Sequence, residues 1–190
     1  TSVTDGNLWV SGTKTMTGLA VNDAPTDITL SPNAVPENSP VGTAVGTLST
    51  TDVDAGDTLT YTLVSGEGST DNASFTIDGS TLKTAASFNF EGRSSYTVRV
   101  RSTDAGGLYA EKTLTIAVAD VNEAPADIAL SANTVPENSP AGTAVGTLST
   151  TDIDAGDTFT YTLVSGEGST DNASFTIVNN QLRTATTFDY

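Results

Sequence analysis

The chain repeats itself. Residues Val21–Phe90 return at Val121–Tyr190 with about three-quarters of the positions unchanged. Val-Asn-Asp-Ala-Pro at Val21–Pro25 becomes Val-Asn-Glu-Ala-Pro at Val121–Pro125, and Val-Pro-Glu-Asn-Ser-Pro occurs at Val35 and again at Val135. Solenoid repeats are shorter and share one continuous core, whereas a unit of about 100 residues can bury its own. The period therefore implies tandem copies of an independently folding unit.

The flanks fit the same register. Residues Thr4-Asp5 through Pro25 align with Thr103-Asp104 through Pro125 once one gap is allowed. Residues 1–24 thus read as the closing strand and linker of a preceding copy, 25–124 as a complete repeat, and 125–190 as a repeat that stops before its last strands.

Within a copy the hydrophobic period is two. Tyr96, Val98 and Val100 alternate with Thr97, Arg99 and Arg101, and Leu114, Ile116 and Val118 with Thr113, Thr115 and Ala117. Ile28–Leu30, Leu59–Tyr61–Leu63 and Phe75–Ile77 behave alike, and no helical periodicity of useful length is present. Abundant Thr suits half-buried pleated strands. Turn clusters such as Asp54-Ala55-Gly56-Asp57 and Asp104-Ala105-Gly106-Gly107 separate the strands. The predicted class is all-β: tandem seven-stranded antiparallel Greek-key sandwiches. Arg99 and Arg101 are predicted to point to solvent, and Trp9, at the position of Tyr109, to cover a core edge.

Seven Lys and Arg against 23 Asp and Glu give a formal charge of −16. Nucleic acids and anionic membranes both require a basic footprint, so neither is an expected partner. With no Cys and no His, disulfides, zinc sites built on those residues, and His- or Cys-based catalysis are all excluded. No apolar run reaches the roughly 18 residues of a membrane span, so no membrane insertion is expected in this segment.

The acids gather in loop-like segments next to the repeat boundaries: Glu37, Asp52, Asp54, Asp57, Glu91, Asp104, Asp120 and Glu123, with Asn22 and Asn122 nearby. Several recur at the same loop positions in the next copy, which solvated charge has no reason to do. Hard oxygen ligands at this density suit Ca²⁺, which takes six to eight oxygens in flexible geometry, better than Mg²⁺, which dehydrates reluctantly. Asp52–Asp57 is not an EF-hand loop, because Gly56 falls one place early and the twelfth position is Leu63 rather than Glu. Ligands must come from several loops.

Five motifs stand in register: Pro36-Glu37-Asn38, Asp52-x-Asp54, Phe88-Asn89-Phe90-Glu91, Thr103-Asp104-Ala105-Gly106 and Asp120-Val121-Asn122-Glu123-Ala124-Pro125. Together they resemble the cadherin-type repeat in its bacterial tandem form, a resemblance that covers the whole chain. It implies calcium held at the junctions between consecutive sandwiches. After the complete repeat, the implied ligands are Glu37 and Glu91 from its base, Asp120, Asn122 and Glu123 from the linker, and Asp152, Asp154 and Asp157 from the following repeat. The earlier junction would use Asn22 and Asp23, then Asp52, Asp54, Asp57 and Asp104. Asn89 stands where the family commonly has an acid, Ala20 where the linker usually begins with Asp, and Ala24 and Ala124 where it usually closes with Asn. Those departures imply fewer or weaker ions than in the animal proteins.

The resemblance implies an extracellular, non-enzymatic spacer or adhesion rod of a bacterial surface or secreted protein. Its partners would be neighbouring repeats, copies of itself, and cell-surface or matrix ligands. An alternative is a filament in which residues 1–24 of one molecule complete the sandwich 125–190 of the next. A carbohydrate-binding module is disfavoured by sparse aromatics, 6% of the chain. The pair Asp52 and Asp54 could in principle serve glycoside hydrolysis, but its duplication as Asp152 and Asp154 argues against a catalytic centre. Asn72-Ala73-Ser74 and Asn172-Ala173-Ser174 fit the N-glycosylation pattern and are expected to act as turn residues.

Overall fold

A computed structural model describes residues 21–54 and 56–190. The readings placed on Trp9, Ala20 and the strand before Val21 lie outside these residues. Strands follow the period-two segments: β1 (Asp27–Ser31), β2 (Ala34–Pro36), β3 (Ala44–Thr51), β4 (Thr60–Leu63), β5 (Phe75–Asp78), β6 (Thr81–Thr84), β7 (Ser95–Thr103) and β8 (Tyr109–Ala119). The second copy supplies β9 (Asp127–Leu130), β10 (Ala144–Thr151), β11 (Phe175–Val178) and β12 (Gln181–Thr184). Short 3₁₀ turns at Asn72–Ser74 and Asn172–Ser174 precede β5 and β11.

Among the described residues three four-stranded sheets result, ordered β1-β3-β6-β5, β2-β8-β7-β4 and β11-β12-β10-β9. The all-β sandwich class holds, but the first copy contains eight strand segments where seven were expected. Its first strand is interrupted at Pro32-Asn33, and the two halves join different sheets. The second half, β2, runs parallel to β8, pairing Val35 with Val118. The break coincides with a close approach: a Cβ on Gly46 would lie 1.9 Å from the Pro32 carbonyl oxygen. Gly46 sits at the β-bulge where β3 shifts register against β6, and Gly146 repeats both features in β10.

The described residues divide into two compact units, 21–33, 44–54, 56–85 and 97–115 in one, and 34–43, 86–96 and 116–190 in the other. In the first unit Ile28, Val45, Leu48, Phe75, Leu82, Val98, Val100 and Leu114 are buried, each on the inward face of its strand. In the second, Val35, Phe88, Ile116, Val118 and Val145 are buried.

The arginines expected in solvent are clamped instead. Glu111 accepts from Arg99 at 2.8 and 3.0 Å and from Arg101 at 2.6 and 2.8 Å, one carboxylate oxygen serving each guanidinium. The Arg101 guanidinium also lies 4.1 Å above the centre of the half-exposed Tyr109 ring and covers one of its faces.

Sheet β9-β10-β12-β11 reproduces β1-β3-β6-β5, bulge included. The surroundings differ. Residues 134–136 and 160–163, the sequence counterparts of β2 and β4, are not strands. β2 and β4 pair with β8 and β7, and no equivalent strands pair with 134–136 or 160–163 among the described residues. Ile128 is consequently 62% exposed, whereas Ile28 is fully buried.

Candidate metal centre

Two acidic constellations form, one within each compact unit. In the first unit, the turn after β3 is shaped by its own acids. Asp52 Oδ1 accepts from the Asp54 N–H at 3.0 Å, and Gly56 supplies the left-handed residue (φ 98°) that closes the turn. Asp104, just beyond β7, is 6% exposed. It accepts from the Leu108 N–H at 2.9 Å, and its own N–H donates to the Leu108 carbonyl at 3.0 Å, which ties the β7–β8 turn. The linker then meets both loops. Asn22 Nδ2 donates to Asp104 Oδ2 at 2.9 Å, and the Asp23 N–H donates to Asp54 Oδ2 at 2.7 Å.

Asp52, Asp57 and Asp104 each bring one carboxylate oxygen within 4.8 Å of the others. Burial raises the Asp57 carboxyl above its ordinary range, and the charges of Asp52, Asp54 and Asp104 push the same way. Burial would raise Asp104 as well, but donors from Asn22 and from the Leu108, Gly107 and Gly106 N–H groups outweigh it and hold it low.

The second constellation is larger. Glu37, only 3% exposed, accepts from the Phe90 N–H at 2.8 Å and the Val121 N–H at 3.0 Å. Those bonds, Phe90's first, keep its carboxylate ionised below the usual range. The loop after β10 repeats the Asx turn, with Asp152 Oδ1 accepting from the Asp154 N–H at 3.0 Å. Glu123 links linker and loop, its N–H donating to Asp154 Oδ2 at 2.7 Å. Asn122 Nδ2 donates to the Glu123 carbonyl at 2.9 Å, and Asn38 Nδ2 donates to Glu123 Oε1.

Three overlapping sets bring carboxylate oxygens within 4.8 Å: Glu37, Glu91 and Glu123; Glu91, Asp120 and Asp154; and Asp152, Asp154 and Asp157. Glu91 and Asp154 each belong to two sets, so the seven acids run on continuously. The ion pairs Lys83–Asp78, Arg99–Glu111, Arg101–Glu111 and Lys112–Asp27 involve none of them.

The decisive observation is what these acids leave unsatisfied. Oε2 of Glu123, Oδ2 of Asp152 and Oδ1 of Asp154 are buried with no hydrogen-bond partner, as are Oδ2 of Asp52 and of Asp57. A buried carboxylate oxygen without a donor is costly unless a cation meets it. Burial, then the neighbouring charges of Glu37, Asp154 and Glu91, raises Glu123 above its ordinary range. An all-oxygen set of this density fits a hard divalent ion such as Ca²⁺.

The acids anticipated from sequence are thus largely brought together. Asp23 and Asp54 are joined by the bond from the Asp23 N–H to the Asp54 carboxylate, but neither carboxylate joins a close set. Asn38 escaped notice as a side-chain participant, because nothing local in Pro36-Glu37-Asn38 reveals a partner 85 residues away. Both Asn-x-Ser asparagines spend their amide nitrogen on the chain: Asn72 Nδ2 donates to the Val64 carbonyl at 2.9 Å and Asn172 Nδ2 to that of Val164 at 2.8 Å.

Residues 32–119 match the cadherin domain family. Protocadherin gamma-A11 of Pan troglodytes and its Homo sapiens counterpart are each 33% identical over 130 residues, 65% of this chain. The chain spans 14% of the length of those relatives. Among solved structures, extracellular cadherin domains 1–4 of protocadherin gamma B7 superpose with a TM-score of 0.53 at 27% identity, covering 85% of this chain and 42% of that one. Mouse cadherin-23 EC22-24 gives a TM-score of 0.53 at 25% identity, with 86% and 55% covered. Human protocadherin-24 EC1-2 shares the fold at a TM-score of 0.62 and 21% identity, with 86% and 80% covered.

Proposed function

We propose that the chain is a piece of a calcium-stiffened extracellular array, a spacer or adhesion rod built from cadherin-type repeats. Residues 25–124 make up one repeat, 125–190 belong to the next, and 1–24 are the end and linker of the one before. The parent is read as a bacterial surface or secreted protein, in which near-identical neighbours suit a spacer better than a specific recogniser.

The observation that carries this reading is the set of buried, partnerless carboxylate oxygens on Glu123, Asp152 and Asp154. They lie among acids drawn from both sides of the linker, Glu37 and Glu91 before it and Asp152, Asp154 and Asp157 after it, all within one compact unit. A divalent cation would join the two sides through shared ligands, with Glu91 and Asp154 each serving two sets. At the first linker, Asn22, Asp23, Asp52, Asp54, Asp57 and Asp104 would supply the share of such a site that the linker and the following repeat provide, with Asp52, Asp57 and Asp104 as its close set. Metal-free, the same carboxylates repel one another and the linker loosens.

At free Ca²⁺ about ten times the dissociation constant, each site stabilises the folded form by about 1.4 kcal/mol. That corresponds to a rise of about 6–11 °C in melting temperature for a domain of about 100 residues. Scanning calorimetry in millimolar calcium and in excess EDTA tests it. A higher, calcium-dependent transition is expected, and superimposable curves would contradict the proposal.

A second reading draws on the exposure of Ile128. Residues 1–24 of another copy, pairing alongside 134–136 or 160–163 as β8 and β7 pair with β2 and β4, would help build the facing sheet and assemble a filament. Size-exclusion chromatography separates the two: a concentration-dependent ladder supports the filament, and a monomer removes it.

A further inference from the structure

Glu123 is held at three points. Its N–H donates to Asp154 Oδ2 at 2.7 Å, its carbonyl accepts from Asn122 Nδ2 at 2.9 Å, and its Oε1 accepts from Asn38 Nδ2. Only Oε2 is left, buried and without a partner. Asn38 is itself fixed in an uncommon backbone state, left-handed at φ 55°, with its N–H on the Phe88 carbonyl at 3.0 Å.

Resting on the calcium reading above, we propose that Asn38 is a positioning residue: its carboxamide fixes the Glu123 carboxylate so that Oε2 is presented to a cation shared with Glu37 and Glu91. The chemistry of the pair supports this. A neutral amide can orient a carboxylate without neutralising it, whereas Lys or Arg at position 38 would compete with the metal for the same charge. A glutamate pre-aimed by a neighbour loses less side-chain entropy on binding the ion than a free one. The molecule also carries its own control. Asn138 has the same backbone, φ 58° with its N–H on the Phe88-equivalent carbonyl of Phe188 at 2.7 Å, and is exposed as Asn38 is, but among the described residues no linker glutamate accepts from its carboxamide.

The test is calcium titration calorimetry on the EDTA-stripped chain, with Ca²⁺ alone as the probe. Asn38→Gly keeps the left-handed backbone and removes only the carboxamide. It should weaken apparent calcium affinity roughly three- to tenfold, the scale of one typical intramolecular hydrogen bond. Asn138→Gly should match the parent chain. Melting in EDTA should be the same for all three, which separates positioning from folding. A shorter acid cannot span both partners, so in a Glu123→Asp background Asn38→Gly should cost nothing more. Unchanged affinity in Asn38→Gly, or an equal loss in the Glu123→Asp background, overturns this proposal and leaves the calcium reading intact. No calcium binding by the parent chain overturns that reading and this one with it.

Discussion

The Glu123 N–H donates to Oδ2 of Asp154 at 2.7 Å across 31 residues, and the Asp23 N–H makes the same bond to Oδ2 of Asp54 at the same length. The linker is thus tied through its backbone to the acidic loop that follows it. For Asp154 this divides the labour: Oδ2 holds the linker while Oδ1 is buried with no partner.

Asp154→Ala should therefore lose the linker bond and a shared ligand together. We expect it to abolish most of the calcium-dependent rise in melting temperature, on the order of 1–2 kcal/mol at ten times the dissociation constant. In EDTA the variant should melt close to the parent temperature, because the lost linker bond offsets the removal of one repelling charge. Calorimetry under both conditions checks this.

The pH response should change sign with the metal. Glu123 and Asp57 have raised carboxyl pKa values when metal-free, so their ionised forms oppose folding. That penalty is absent below the ordinary carboxylate range and grows as pH rises through it toward the raised folded values. In EDTA, lowering the pH from neutrality to just above the ordinary range should raise the melting temperature. Glu37 and Asp104 behave oppositely, being depressed, and their contribution disappears only at more acid pH. With calcium the same mild acidification should lower the melting temperature, because the ion requires ionised ligands. A thermal-shift series in pH, with and without calcium, reads both slopes.

Glu111→Gln should act independently of calcium. Its carboxylate carries two guanidinium partners at a side-chain exposure of 19%, so its loss leaves Arg99 and Arg101 without their shared counter-charge. A cost of about 1–2 kcal/mol is expected, above that of a freely exposed pair. Urea denaturation in EDTA and in calcium should show the same difference.

Gly46→Ala should cost more, about 2–4 kcal/mol, because a Cβ 1.9 Å from the Pro32 carbonyl has only backbone to displace. Gly42→Ala meets no atom within 4 Å and bears only the strain of φ 91°, about 1 kcal/mol. Urea midpoints for the two variants test the contrast.

Much of this was legible in the residues. Period two located the buried faces of β7 and β8, because Val98, Val100, Leu114, Ile116 and Val118 face inward whatever the partner strand. The carboxylate loops were legible because Asp52-x-Asp54 and its repeat encode a local Asx turn. Long-range geometry was not. The division of the first strand depends on the approach of Gly46 to Pro32, Arg99 and Arg101 find Glu111 across a strand pair, and Asn38 meets Glu123 only once the linker is in place. Ile28 and Ile128 share a motif yet differ wholly in burial, since coverage of a sheet face is set by other strands.

A divalent ion bound among acids from both sides of the 120–123 linker is what would stiffen the array. The most direct measurement is a crystal structure grown in millimolar calcium, with anomalous scattering recorded at long wavelength. Anomalous peaks are expected within about 2.3–2.6 Å of oxygens from Glu37, Glu91, Glu123 and Asp154. Density there with no anomalous signal, and with the spacing of water hydrogen bonds, would contradict it.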